Sequence, residues 1–142
     1  MNKELTVTQT IEIIADRQKI WDALTNPEKI KVYLFGTDTL TNWKVGSEII
    51  FQGEYQGQQY KDKGKIIGIK TDELLQYSYW SVFTGLEDKP ENYSLVTYKL
   101  DSENGKTFLT LTQAGFPNEQ AQQHSQTAWT NVLQQIKKIT EE

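Results

Sequence analysis

The sequence predicts an α+β domain in which a curved antiparallel sheet wraps around a long C-terminal helix. Three observations predict it: residues 5–14 alternate between apolar and polar, several strand-like runs joined by turn residues follow, and from Glu119 to Ile139 no Gly or Pro interrupts a helical pattern. The chain has 142 residues, which suits one domain covering the whole sequence and is long enough for a core without a metal or a disulfide.

In residues 5–14, Leu5, Val7, Gln9, Ile11 and Ile13 share one face of a half-buried strand, with Thr6, Thr8, Thr10 and Glu12 on the other. Asp16 offers a helix N-cap, and Ile20, Trp21, Ala23 and Leu24 form an apolar stripe ending near Thr25. Asn26-Pro27 restarts a second short helix, with Asn as cap and Pro at its first position, and Ile30, Tyr33 and Leu34 on its apolar side. The middle of the chain reads as strands: 37–40, 48–55, 59–69 and 73–80, with Trp43–Gly46 and Gln56-Gly57 as turns. Gly64 and Gly68 suggest bulges or bends that let the sheet curve. Residues 84–93 form a polar loop, and strands 94–100 and 106–113 pair through Asn104-Gly105, the strongest hairpin signal in the chain.

Gly115–Asn118 breaks the pattern and caps the last helix. Its expected inward face is Ala121, His124, Ser125, Ala128, Trp129, Val132, Leu133, Ile136 and Ile139. About 21 residues at ~1.5 Å each span roughly 30 Å, the width of a small domain. This face is uneven: bulky residues occupy its C-terminal half, small or polar ones its N-terminal half. The small residues either let the helix approach closely or leave space, and the curvature of the sheet favours space. The expected lining is Trp43, Phe51, Tyr77, Tyr79, Trp80, Phe83, Tyr98, Phe116, His124 and Trp129, a mostly apolar cleft of the kind that binds small molecules. The competing reading is that these aromatics simply are the core.

Several chemistries are excluded. There is no Cys, hence no thiolate ligand or nucleophile, and one His, hence no His-pair metal site. No glycine-rich phosphate loop or nucleophile elbow occurs, and no cofactor is expected. The net charge is −4, and 14 of the 15 basic residues are Lys with Arg17 the exception, which argues against nucleic-acid binding. No apolar run approaches the ~18 residues of a membrane span, nor does the charged N-terminus look like a signal peptide, so the expected location is the cytoplasm. If Lys61, Lys63 and Lys65 face solvent, Asp62 points inward, needs partners and could meet a polar ligand group; a register shift at a bulge or a position at the strand end is the favoured alternative. A catalytic reading would need His124 beside Asp62 or a tyrosine; no catalytic set is assigned.

Taken together, Ile20–Glu28, Trp43–Gly46, Gly64-Lys65-Ile66, Leu74-Leu75 with the strand to Trp80, Thr107–Thr112, Gly115-Phe116, and Trp129 with Val132 and Leu133 carry a resemblance. Over roughly residues 7–139 the chain resembles the START-like (SRPBCC) helix-grip superfamily, and within it bacterial proteins similar to the C-terminal domain of the activator of the heat-shock-protein-90 ATPase. Two positions depart from the family pattern: Gly46-Ser47, where two glycines are common, and Ala128, where Gly often precedes the helix Trp. The resemblance implies a β-α-α-β6-α fold. It also implies the range of that superfamily, whose members bind lipids, hormones and polyketides, some of them catalysing cyclisation. Chaperone activity belongs to eukaryotic relatives, where a second, N-terminal domain contributes. The expected function is therefore binding of an apolar or amphipathic small molecule between sheet and helix, with a protein-interaction or chaperone-associated module as the alternative and a cyclase- or hydrolase-type enzyme third.

Overall fold

The computed structural model describes residues 2–142, with side chains from Glu4 onward. The element order is β1 (Asn2–Ile13), α1 (Arg17–Thr25), α2 (Pro27–Tyr33), β2 (Asp38–Leu40), β3 (Glu48–Tyr55), β4 (Gln58–Lys70), β5 (Leu74–Tyr79), β6 (Ser94–Glu103), β7 (Lys106–Phe116) and α3 (Glu119–Glu141), with two single turns of 3₁₀ helix between β5 and β6. One antiparallel sheet of 7 strands forms in the order β1-β7-β6-β5-β4-β3-β2, so β1 and β2 are its edges. This is the β-α-α-β6-α helix-grip architecture, with the curved sheet on one side and α3 on the other.

Local chemistry explains the boundaries. Asp16 Oδ1 accepts from Lys19 N at 2.9 Å, Asn26 Oδ1 from Glu28 N at 3.1 Å and Asn118 Oδ1 from Ala121 N at 2.9 Å, capping the three helices. Gln56-Gly57 and Asn104-Gly105 both adopt positive φ at their two residues, the hairpin geometry that suits strand twist. At Gly64 the backbone of β5 comes so close that a Cβ would lie 1.6 Å from the Ser78 carbonyl oxygen. A register shift between Ile66 and Gly68 then bulges β4.

The core gathers the inward residues of β1 and of β3 to β7, including Val7, Ile13, Ile49, Ile66, Leu75, Val96, Leu109 and Leu111, against Ile20 and Leu24 of α1 and Ile30 and Tyr33 of α2. From α3 it takes Val132, Leu133 and Ile136. The far end of α3 is tied down by Glu141, which accepts from Ile14 N at 2.8 Å, and by Lys19 Nζ, which donates to the Glu142 carbonyl at 2.6 Å. No helix among the described residues is long and apolar enough to cross a membrane.

The stripe of α3 is narrower than the sequence spacing suggests. Ala121, Ser125, Trp129, Val132, Leu133, Ile136 and Thr140 are buried or half-buried, but His124 and Ala128 are exposed. The inward positions step by four through 121, 125 and 129, so 124 and 128 fall about 100° away, on the solvent side. The expectation that His124 faces inward is therefore corrected.

Candidate functional site

The concave side of the sheet opposite the N-terminal half of α3 is built from aromatic and polar side chains. Alternation along β3, β4 and β5 turns Phe51, Asp62, Tyr77 and Tyr79 to this side. Phe51 meets Tyr77 at 5.5 Å and Tyr79 at 5.9 Å between ring centroids. Tyr98 of β6 meets Trp129 of α3 edge-on at 5.9 Å. Phe116, at the end of β7, is buried in the same core, while Trp43 packs against it half-buried from the loop between β2 and β3.

Two polar clusters run through this layer. Buried Gln113 donates to Ser94 Oγ at 2.9 Å, and its Oε1 accepts from Ser125 Oγ at 3.0 Å and Trp129 Nε1 at 2.7 Å. It thereby joins β7, β6 and α3. In the second cluster, the Tyr79 hydroxyl donates to Asp62 Oδ2 at 2.5 Å. Asp62 is only 7% exposed, as the outward Lys61 and Lys65 require, and its Oδ1 has no hydrogen-bond partner. Burial pushes the Asp62 carboxyl above the usual carboxylate range; Tyr79 and the neighbouring Ser81 side chain pull it back down. Burial also raises the phenols of Tyr33, Tyr77, Tyr79 and Tyr98, with Asp62 adding to the rise at Tyr79. These hydroxyls are neutral donors throughout the physiological range.

The cover over this layer is uneven. The C-terminal half of α3 is anchored by Val132, Leu133 and Ile136. Its N-terminal half is attached largely by hydrogen bonds: those of Gln113, Gln9 Nε2 to the Gln126 carbonyl at 2.8 Å, Thr130 Oγ1 to Gln9 Oε1 at 3.1 Å and Gln122 Nε2 to the Thr6 carbonyl at 2.8 Å. Helix α3 lies closest to β1, then to α1 and α2, and more thinly to β7; β3, β4 and β5 have no comparable α-helix contact.

Of the expected lining, Phe51, Tyr98, Phe116 and Trp129 share the concave side with Tyr77 and Tyr79. Trp80 follows Tyr79 and so turns to the convex face, where its Nε1 donates to the Leu86 carbonyl at 3.2 Å and Lys63 Nζ sits 6.0 Å from its ring. Phe83 is exposed, but it meets Tyr60 in a tilted contact at 5.8 Å and Tyr55 edge-on at 6.5 Å, both on the concave-side positions of β4 and β3 at their hairpin end, away from α3. His124 faces solvent, so the pairing with Asp62 that catalysis would need is not assembled. Among the described residues no group of three or more His, Cys, Asp or Glu could hold a metal ion.

The concave rings also occupy much of the space the sequence led one to expect. The two best-formed depressions lie elsewhere. One of about 450 Å³ is on the convex face between Glu48, Lys63, Lys65, Ser78, Asp88 and Tyr93. The other, about 520 Å³, is near Asp38, Gln52, Glu54, Gln59, Tyr60 and Lys61. In the first, Lys63 and Asp88 pair with each other at 2.5 Å. Asp62 stands out from its place between alternating lysines, but Gln113, the residue that ties α3 to the sheet, carries no local signal: its partners are 12 to 19 positions away.

A sheet gripping a C-terminal helix over a polar-aromatic layer defines the START-like class. The model of the family described as "Activator of Hsp90 ATPase homolog 1-like protein" matches residues 15–141, and the chain belongs to that family. The chain is similar to a protein of Cytophaga hutchinsonii known from its solution structure, with 40% identity and a TM-score of 0.85 over 99% of this chain and 97% of that one. It shares its fold with the Aha1 dimer from Colwellia psychrerythraea (19% identity, TM-score 0.74, 96% of each chain). The same holds for an HSP90 activator from Plasmodium falciparum (20% identity, TM-score 0.73, 94% of each chain). No functionally curated protein matches the chain.

Proposed function

We propose that the protein binds an amphipathic small molecule between the sheet and the N-terminal half of α3, on the layer formed by Phe51, Tyr77, Tyr79, Tyr98 and Trp129. The observation that carries this reading is the asymmetry of α3: apolar anchoring at its C-terminal half, hydrogen-bonded attachment at its N-terminal half. Hydrogen-bonded, half-exposed segments belong to the low-stability end of a fold, so this half can lift while the other holds. A guest then replaces ring-to-ring contacts with ring-to-ligand contacts. Native mass spectrometry of protein purified from cells, followed by a thermal-shift screen of lipids and small aromatics, tests the reading. A bound species, or a melting temperature that climbs with ligand concentration, supports it. A uniformly apo protein that no compound stabilises contradicts it.

A second reading, a protein-interaction module, draws on a separate observation. Tyr55 is 60% exposed, Phe83 57% and Val82 53%, and Tyr55, Tyr60 and Phe83 form a ring cluster at the exposed hairpin end of β3 and β4, away from α3. Relatives described as an Aha1 dimer and an HSP90 activator make an Hsp90-class chaperone the partner to test. Titration with a purified bacterial Hsp90 should show binding that Phe83→Ser weakens; no binding at tens of micromolar protein removes this reading.

A further inference from the structure

Thr39, Phe51 and Asp62 are direct neighbours in register on β2, β3 and β4. All three are buried, with Thr39 3% and Asp62 7% exposed. At about 4.8 Å between strands, Thr39 and Asp62 stand roughly 10 Å apart with the Phe51 ring between them. Thr39 Oγ1 and Asp62 Oδ1 are the two buried side-chain polar atoms among the described residues without a hydrogen-bond partner. Buried polar atoms are normally paired, and two orphans on one row of a sheet call for an explanation.

The surroundings sharpen the point. Tyr79 satisfies the other oxygen of Asp62, and the buried Ser81 side chain stands near enough to hold the carboxyl's pKa down without making a geometrically formed hydrogen bond to Oδ1. The neighbouring Lys63 is turned to the convex face and engaged with Asp88, so it does not compensate this carboxylate. Gln113 by contrast has all its polar atoms engaged, which shows that the interior can satisfy its polar groups where no vacancy is needed. What remains is an apolar ring with an unused acceptor at one side and an unused hydroxyl at the other.

Resting on the reading of the concave layer as a binding site, we propose that Asp62, with Thr39 across the Phe51 ring, forms a polar subsite for a flat apolar ligand bearing a hydrogen-bond donor, a hydroxyl or a protonated amine. The donor goes to Asp62 Oδ1, the ring of the ligand packs on Phe51, and the Thr39 hydroxyl meets a second polar atom when the ligand has one. Burial holds the Asp62 carboxyl up toward its neutral form, and a donor from the ligand favours the ionised form again.

Calorimetric titration of the full chain at neutral pH with three naphthalenes tests this. One carries a hydroxyl, one an aminomethyl group, and one an ethyl group of similar size without a donor. The first two should bind the wild type about tenfold more tightly than the third, since a hydrogen bond to a charged group is worth that much. The order of the first two tells whether a neutral or a cationic donor is preferred. Asp62→Leu should bring all three within about twofold of one another while leaving ethylnaphthalene binding in place. Because Leu leaves the Tyr79 hydroxyl without an acceptor, Asp62→Asn serves as the second variant; it keeps an acceptor, and should weaken the aminomethyl compound most. Ethylnaphthalene binding the wild type as tightly as the others, or an undiminished donor preference in both variants, overturns the subsite and leaves the cleft reading standing. Failure of all three compounds to bind wild type counts against both.

Discussion

Replacing Gln113 with Leu tests how the N-terminal half of α3 is held. The side chain is 8% exposed and makes three hydrogen bonds, to Ser94, Ser125 and the Trp129 indole, at 2.7 to 3.0 Å. Leucine keeps the bulk and removes all three. At about 1 kcal/mol net per bond, with Ser125 and Trp129 half-buried and so partly able to turn to water, the loss is about 2–3 kcal/mol. For a domain of this size that lowers the melting temperature by roughly 6–9 °C. Thermal unfolding followed by circular dichroism measures the total, and amide hydrogen exchange shows where it falls. Protection should drop over residues 119–130 and persist around Leu133 and Ile136, which are buried in the apolar core. A melting temperature within about 2 °C of wild type, or an even loss of protection along α3, would refute the idea that this polar tie controls the N-terminal half.

Gly64→Ala should cost more than about 3 kcal/mol or prevent folding, because its Cβ would sit 1.6 Å from a β5 carbonyl oxygen and both strands would have to separate; chemical denaturation measures this. Ile136→Ala, at a side chain with no exposure, should lose about 2–5 kcal/mol while leaving ligand affinity per folded molecule unchanged. Asp62→Asn reports on pH. Since the folded carboxyl titrates above its unfolded counterpart, the folded state holds this proton longer, and the stability the group contributes is present below the unfolded value and lost as pH rises through the folded one. The variant should therefore gain on wild type as pH rises from about 4 to neutrality, read from paired denaturation curves at several pH values; a flat or opposite trend contradicts the direction.

Much of the architecture was legible in the sequence because its signals are local. Alternation over residues 5–14, the caps at Asp16, Asn26 and Asn118, and the hairpin dipeptides Gln56-Gly57 and Asn104-Gly105 each act within a few residues, and all fall within or next to the elements they predict. Asp62 was legible only in part: the lysines on either side pointed it inward, but the neighbouring glycines favoured a register shift, which the unbroken pairing with Phe51 corrects. The site was less so. The end of β5 and the residue after it carry Tyr77, Tyr79 and Trp80, aromatics on both faces, so composition could not say that Trp80 turns outward. His124 and Ser125 both fit a helical stripe of ordinary width, and only the packing of α3 against β1 decides between them. Whether rings fill a space or line it depends on volumes that periodicity does not encode, and here Phe51, Tyr77 and Tyr79 lie against one another.

Indole N–H resonances offer the most direct test of a ligand site under α3. The four tryptophans are spread over the fold: Trp129 hydrogen-bonded to Gln113 within the concave layer, Trp80 bonded to Leu86 on the convex face, Trp21 on α1 and Trp43 in the loop before β3. On titration with a compound that stabilises the protein, the Trp129 indole signal should move progressively, together with backbone signals of residues 119–130, while Trp80 stays in place. Shifts confined to Trp80 and the convex groove, or to the exposed Tyr55–Phe83 cluster, would contradict the account.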